Sequence, residues 1–368
     1  RLRRWSHASA TDGENIYIFG GYGKANDGHV GRLGDFLIGS WKTGRLQDGM
    51  SWVEALPDDD GSLWPTPRVR HTLTYLPSSE AWSKGSSFIL FGGRSSPMEA
   101  FSDVHICSVK QIDSSNDASN CYSVSWIPLE IESAGTSPSE RWGHTATVIC
   151  NESPENQRLL VYGGRDKNRV FGDSHLLEVC GLSASWKSLE LVGGRSPGPL
   201  FYHVSTFLEG SSQIVLSGGC ISLEDSAHVF SNNIYILDLL SLNWSTLDVT
   251  GSPQSACRYS HTAAHAHGTK ILLFGGIRMN GNAHGLALLD IAAKTLKNLD
   301  AGDFNGSTTC VRHSSNSVVT SNGELLLIKV GGGSQCLGFG QAWGDPVVSA
   351  ISISAVGGKD TEFPPLSS

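Results

Sequence analysis

Long apolar runs are missing from this chain: none of its 368 residues belongs to a stretch approaching the ~18 consecutive apolar residues of a membrane-spanning helix. No membrane partner is expected, and nothing at the start resembles a signal peptide. Positive charge is also scarce. Lys and Arg number 27 against 35 Asp and Glu, a formal net charge of −8. That balance excludes a surface that coats nucleic acid indiscriminately, although a local basic patch can sit on an acidic body. The eight cysteines form no CxxC pair and show no zinc-ligand spacing. Buried free thiols and a cytoplasmic setting are therefore expected, with a Cys107–Cys121 bridge across a hairpin as the mark of a secreted alternative. Catalytic signatures are absent as well: no nucleophile elbow, P-loop, HExxH or dinucleotide fingerprint occurs in a strand–turn–helix context. The run Gly331-Gly332-Gly333-Ser334 follows a strand pattern but leads into no helix, so a phosphate cradle is not expected there. His265 and His267 share a strand face but lack a third ligand. The chain itself is read as non-catalytic, with no metal or cofactor of its own.

Glycine, by contrast, is abundant and regularly placed. Six times a short β-branched or aromatic run ends in a glycine pair: Gly20-Gly21, Gly92-Gly93, Gly163-Gly164, Gly218-Gly219, Gly275-Gly276 and Gly331-Gly332. Each pair follows, by 13 to 21 residues, a histidine that opens another strand-like run: His7, His71, His144, His203, His261 and His313. Such self-similarity marks an array of like supersecondary units, so the whole length is read as one repeat domain. In the third unit, alternation predicts strands at 141–148, 158–162, 173–179 and 186–191. The same order recurs in the fourth and fifth units. Four antiparallel strands in about 50 residues cannot bury both faces alone, and radial packing leaves only short edges.

The prediction is an all-β, six-bladed propeller occupying 1–368. Its blades fall at approximately 1–55, 66–130, 139–191, 198–249, 255–301 and 309–355, leaving a tail at 356–368. Unit six shows three clear strands. Its fourth is expected from the tail near Phe363, or from residues preceding Arg1, because the chain opens inside a repeat without an initiator methionine and reads as a piece of a longer protein. Trp52, Trp126, Trp186 and Trp244 fall in fourth strands and are expected to fill the space between blades.

A strand ending in Gly-Gly, an Arg-x-x-His upstream and a Trp downstream resemble the Kelch repeat. The resemblance covers nearly the whole chain and implies a Kelch-type β-propeller with the six histidines and the glycine pairs in structural roles. Departures are visible: Leu200 and Cys310 replace the arginine, unit five lacks its tryptophan, and Ser217 and Val330 replace the aromatic before the glycines. Galactose oxidase, a copper-bearing Kelch propeller, has a tyrosine and histidine ligand set that is not matched here.

Because strands of a blade alternate in direction, the segment leading into strand one and the loop between strands two and three share a face. Arg4, Arg68, Arg70, Arg141, Arg258 and Arg312 come from the leading segments, and Arg32, Arg94, Arg165, Lys167, Arg169 and Arg278 from the loops. This placement predicts a positive mouth around the channel, fit for carboxylates or phosphates. A structural role, held by carbonyls and neighbouring acids, is the competing reading for the arginines of the Arg-x-x-His motif. His29, near Arg32 and Asp35, has no equivalent in other repeats.

Within unit one, Arg4-Trp5-Ser6-His7-Ala8, the run from Ile16 to Gly23 and the run from Gly28 to Asp35 resemble the first blade of the wybutosine-synthesising protein 4 family, relatives of leucine carboxyl methyltransferases. That likeness implies a non-catalytic module that positions tRNA against a fused or associated S-adenosylmethionine-dependent methyltransferase domain. No methyl-donor motif is present to carry over. The alternative is a protein-interaction adaptor, such as a ubiquitin-ligase substrate receptor, whose arginine-lined face takes an acidic peptide.

Overall fold

The computed structural model describes residues 2–41, 50–58, 63–77, 85–112, 121–132, 137–149, 156–222, 228–278, 285–299, 310–319, 324–333 and 348–353. Among the described residues six blade sheets succeed one another along the chain, beside two small three-stranded sheets that join Arg4–Trp5 to Tyr22–Lys24 and Leu200–Phe201 to Cys220–Ser222. The innermost strands of the blades are Ala8–Thr11, Thr72–Leu76, Thr145–Ile149, Val204–Leu208, Thr262–His267 and Ser314–Val319. In blade 1 the chain runs outward through Asn15–Phe19, Phe36–Trp41 and Met50–Glu54. The sixth sheet shows three strands among the described residues, ending with Val348–Ser352. The tail proposed to close it lies outside the described residues.

Alternation along the second strand explains why the sheets must stack. Successive side chains leave a strand on opposite faces. Tyr17 and Phe19 pack toward blade 2 while Ile16 and Ile18 pack toward blade 6. Phe88 and Leu90 likewise face blade 1, and Ile89 and Phe91 face blade 3. Every apolar cluster therefore lies between two consecutive blades, and the cluster of Ile16, Ile18 and Leu37 with Leu326, Ile328 and Val330 joins the last blade to the first. The ring is closed by packing as well as by hydrogen bonds.

Two belts of backbone hydrogen bonds run around the axis. In the first, the amide of each second glycine donates to a carbonyl of the next blade: Gly21 to Arg68, Gly93 to Arg141, Gly164 to Leu200, Gly219 to Arg258, Gly276 to Cys310 and Gly332 to Arg4, all at 2.8–2.9 Å. In the second, the residue before each histidine donates to its counterpart one blade back, from Arg70 to Ser6, through Gly143, Tyr202, Ser260 and Arg312, and back to Ser6, at 2.8–3.3 Å. All six members of that belt have left-handed backbone, with φ between 53 and 66°. Five of them are not glycine, a cost of order 1 kcal/mol each that the closed belt offsets. The first glycine of a pair cannot be replaced without strain: at Gly20 a Cβ would lie 2.7 Å from the Arg68 carbonyl oxygen and 2.9 Å from the His71 ring, at a φ of +67°.

Trp126, Trp186 and Trp244 fill the gaps between blades, each against the aromatic that precedes the previous blade's glycine pair, whereas Trp52 is half-buried against the apolar cluster that includes Val330 of blade 6. Trp126 meets Phe19, Trp186 meets Phe91 and Trp244 meets Tyr162, with centroids 5.0, 5.2 and 5.4 Å apart. That pairing explains two departures in the sequence at once: Ser217 precedes the glycines of blade 4, and blade 5 correspondingly has Leu296 where a tryptophan would pack on it.

The four antiparallel strands of a blade are supplemented by a short link that the sequence did not announce. In blades 2 to 5 the incoming link adds a fifth, two-residue strand, parallel to the outermost one: Leu56–Pro57, Glu130–Ile131, Gly193–Gly194 and Thr250–Gly251. These links cover an otherwise unpaired edge. The disulfide alternative fails. Cys121 pairs across the hairpin with Ile112, and Cys107 with Trp126, so the two thiols are not opposed. Among the described residues no helix is long and apolar enough to cross a membrane.

Candidate functional site

The arginines of the Arg-x-x-His motif do not reach the mouth. Arg4, Arg68, Arg141 and Arg258 are 0–1% exposed. In blades 1 to 3 each guanidinium forms a two-pronged ion pair with the aspartate that opens the third strand, Arg4 with Asp35, Arg68 with Asp103 and Arg141 with Asp173, at 2.6–3.0 Å. Each also donates to the first glycine's carbonyl at 2.9 Å. Asp103 and Asp173, further bonded to His105 and His175, are held well below the usual carboxylate range by those arginines and imidazoles, which outweigh the burial that opposes them. Arg4, Arg68 and Arg141 are therefore corrected from candidate anion contacts at the rim to internal ties between strands, while Arg258 is buried without such a partner.

The mouth is built from a different set. Immediately after each glycine pair, one residue bridges to the second residue of the motif: Tyr22 to Trp5, Arg94 to Val69, Arg165 to Trp142, Cys220 to Phe201, Ile277 to Tyr259 and Gly333 to Val311. The bridge places Arg94 and Arg165 at the rim beside aromatic rings. Arg94 lies over Trp142 at 4.7 Å, Arg165 lies 5.2 Å from Phe201, Arg70 lies over Tyr202 at 4.4 Å and Arg312 over Trp5 at 4.7 Å. Arg32, paired with Tyr22 across a short hairpin, joins them. Partial burial, then the charges of Arg32, Arg312 and Arg165, bring Arg94 down to about 10. Arg94 thus lies close enough to three other guanidinium groups to be repelled by them. The Nε atoms of Arg32 and Arg94 are buried and without a hydrogen-bond partner.

A family model described as the KLHDC2/KLHL20/DRC7 Kelch-repeats domain matches residues 6–220 and 156–343. The chain belongs to the Kelch-repeat family. Adagio protein 3 of Arabidopsis thaliana is 30% identical over 204 residues, which is 55% of this chain and 29% of that protein. The Rab9 effector protein with kelch motifs of Xenopus laevis is 30% identical over 227 residues, 62% of this chain and 53% of that protein. Host cell factor of Drosophila melanogaster is 26% identical over 280 residues, 70% and 16% respectively. This Kelch chain spans well under two thirds of the length of each.

The other expected contacts are dispersed. Lys167 and Arg169 are exposed beyond the rim, where Arg169 bonds Ser139 at 3.0 Å, lies 3.5 Å from Asp166 and covers Phe171. Arg278 of blade 5 donates to the Ser255 hydroxyl at 2.7 Å. His29 is exposed at the tip of the hairpin formed by Tyr22–Lys24 and Val30–Arg32, its amide bonded to Asp27. Sequence reasoning missed the aromatic floor of Trp5, Trp142, Phe201 and Tyr202. Its signal was available in part: the second position of the motif is aromatic in four of six units, as Trp5, Trp142, Phe201 and Tyr259.

Beneath the mouth, the six Kelch histidines separate an upper cavity of about 140 Å³ from a lower one of about 250 Å³. Four of them lie within hydrogen-bond distance of a hydroxyl on the preceding blade, His7 of Ser314, His144 of Thr72, His203 of Thr145 and His313 of Thr262. Ala8 and Val204 offer no hydroxyl to His71 and His261. Burial lowers all six well below the ordinary imidazole value, to about 3 for His71, His203 and His313, so all six are neutral at pH 7.

Proposed function

We propose that this Kelch ring is a protein-interaction module whose mouth captures an acidic segment of a partner. The observation that carries the reading is the convergence of Arg32, Arg94, Arg165 and Arg312 around one opening, in a chain of net charge −8. A guanidinium repelled by its neighbours in the free protein, as Arg94 is, gains most when a carboxylate arrives, and its planar fork donates to both oxygens together. Trp142, Phe201 and Tyr202 beneath them add apolar area for the flanking side chains. The relative named as a Rab9 effector points the same way, toward a protein partner. Positioning of tRNA beside a methyltransferase, the first expectation from unit one, uses the same rim chemistry but gains nothing from the relatives named above.

The two readings separate in one titration. A fluorescent peptide carrying four glutamates, its glutamine counterpart and a labelled tRNA are each titrated against the full chain at two salt concentrations. The expected result is binding of the glutamate peptide alone, weakened at least tenfold in an Arg94→Ala/Arg165→Ala variant. Preference for tRNA, with a shallower salt slope in that variant, would overturn the protein-partner reading.

A further inference from the structure

Blades 1 to 3 each pair a buried arginine with an aspartate at the start of the third strand. Blade 4 lacks both partners, having Leu200 and Asn233 at those places. Blade 5 keeps the arginine and drops the acid. The pairing of Phe274 with Leu286 matches that of Phe91 with Val104, which puts Gly285 where Asp35, Asp103 and Asp173 stand in their blades.

Among the described residues Arg258 is consequently left with carbonyls alone. Its Nε donates to Ser255 at 2.5 Å, and Nη1 to Gly275 and Gly285 at 3.1 and 3.3 Å. Nη2, the atom that grips the second carboxylate oxygen in the other blades, is shut off from solvent with no hydrogen-bond partner. A second cation stands beside it: Arg278 depresses Arg258, after burial, to about 9, and the Nε of Arg278 is also buried and without a partner. A buried guanidinium facing another cation and no acid is an incomplete site, because such charges persist in proteins when paired.

We propose that blade 5 binds a small oxyanion, a carboxylate or a phosphate, in the notch where the aspartate is missing, gripped by Arg258 with Arg278 as the second cation. In blades 1 to 3 the aspartate side chains remain 20–41% exposed while covering their arginines; Arg258 is 0% exposed without one, so an anion takes the aspartate's place only by displacing what now covers the guanidinium. The notch is separate from peptide capture by Arg94 and its neighbours.

Melting of the full chain in inorganic phosphate, against chloride at equal ionic strength, tests it. Wild type should show a saturable rise, about 2 °C when phosphate is at roughly ten times its Kd. Arg258→Leu, which copies blade 4, should lose the rise. Gly285→Asp should melt higher without phosphate and gain nothing from it, while Arg94→Ala should keep the full response. Acetate in a parallel series distinguishes a carboxylate site from a phosphate site, either supporting the notch. No rise in wild type, or an undiminished rise in Arg258→Leu, would overturn the proposal. The leucine variant decides the matter even should Gly285→Asp fail to fold.

Discussion

Replacing Asp173 with asparagine strips the charge from the carboxylate that holds Arg141 at 2.7 and 3.0 Å and His175 at 2.9 Å. Arg141 cannot follow its lost partner to solvent. It is fully buried, bonded to the carbonyls of Gly163 and Ser139, and covered by Phe171 at 4.2 Å. Removing one member of a buried pair costs about 3–5 kcal/mol. Asp173 is itself 41% exposed, so water relieves part of the penalty and about 3 kcal/mol is expected. With an unfolding entropy of roughly 2.1 cal/mol/K per residue, that loss lowers Tm by about 4 °C for a chain of this size. Arg141→Leu/Asp173→Asn, the combination already present in blade 4 as Leu200 and Asn233, removes the stranded charge as well. The double variant should therefore be more stable than Asp173→Asn alone in urea titrations. A single-variant loss below about 0.5 kcal/mol, or a double variant as unstable as the sum of its parts, would refute the tie between strands.

Acid should weaken the ring early. The six histidines are depressed in the folded state, so their contribution is complete above about pH 6.5 and drains away as pH falls toward about 3 for His71, His203 and His313. At roughly 1.4 kcal/mol per pH unit each, those three alone cost about 6 kcal/mol by pH 5. A urea midpoint unchanged between pH 7.5 and pH 5 would contradict this. Gly20→Ala, which forces a Cβ against the Arg68 carbonyl and the His71 ring at positive φ, should cost at least about 2 kcal/mol. Gly210→Ala, with nothing within 4 Å of its Cβ, should be neutral in the same thermal melts.

The repeat was plain in the sequence because the elements that crowd the axis recur in every blade. Gly20 and Gly331 sit against the histidines of the next blade for the same steric reason, and that reason leaves a fixed spacing. Paired departures such as Ser217 with Leu296 were visible only as isolated exceptions, since the equivalent residues of the other blades meet across a blade boundary. The links Leu56–Pro57 and Thr250–Gly251 are too short to carry any periodicity. At the mouth, the rim arginines Arg94 and Arg165 were legible from their place after the glycines. The roles of Arg4, Arg68 and Arg141 were not: the aspartates that bury them lie 31 to 35 residues onward, and nothing local in Arg-x-x-His announces that pairing.

Capture at the mouth turns on which arginines meet the partner. Nitrogen-15 spectra of the arginine Nε–H groups, recorded while an acidic peptide is added to the full chain, read this residue by residue. Arg94, Arg165 and Arg312 are predicted to shift with a common saturation curve, while Arg4, Arg68 and Arg141, locked to their aspartates, stay still. Shifts confined to other arginines, or none at saturating peptide, would contradict it.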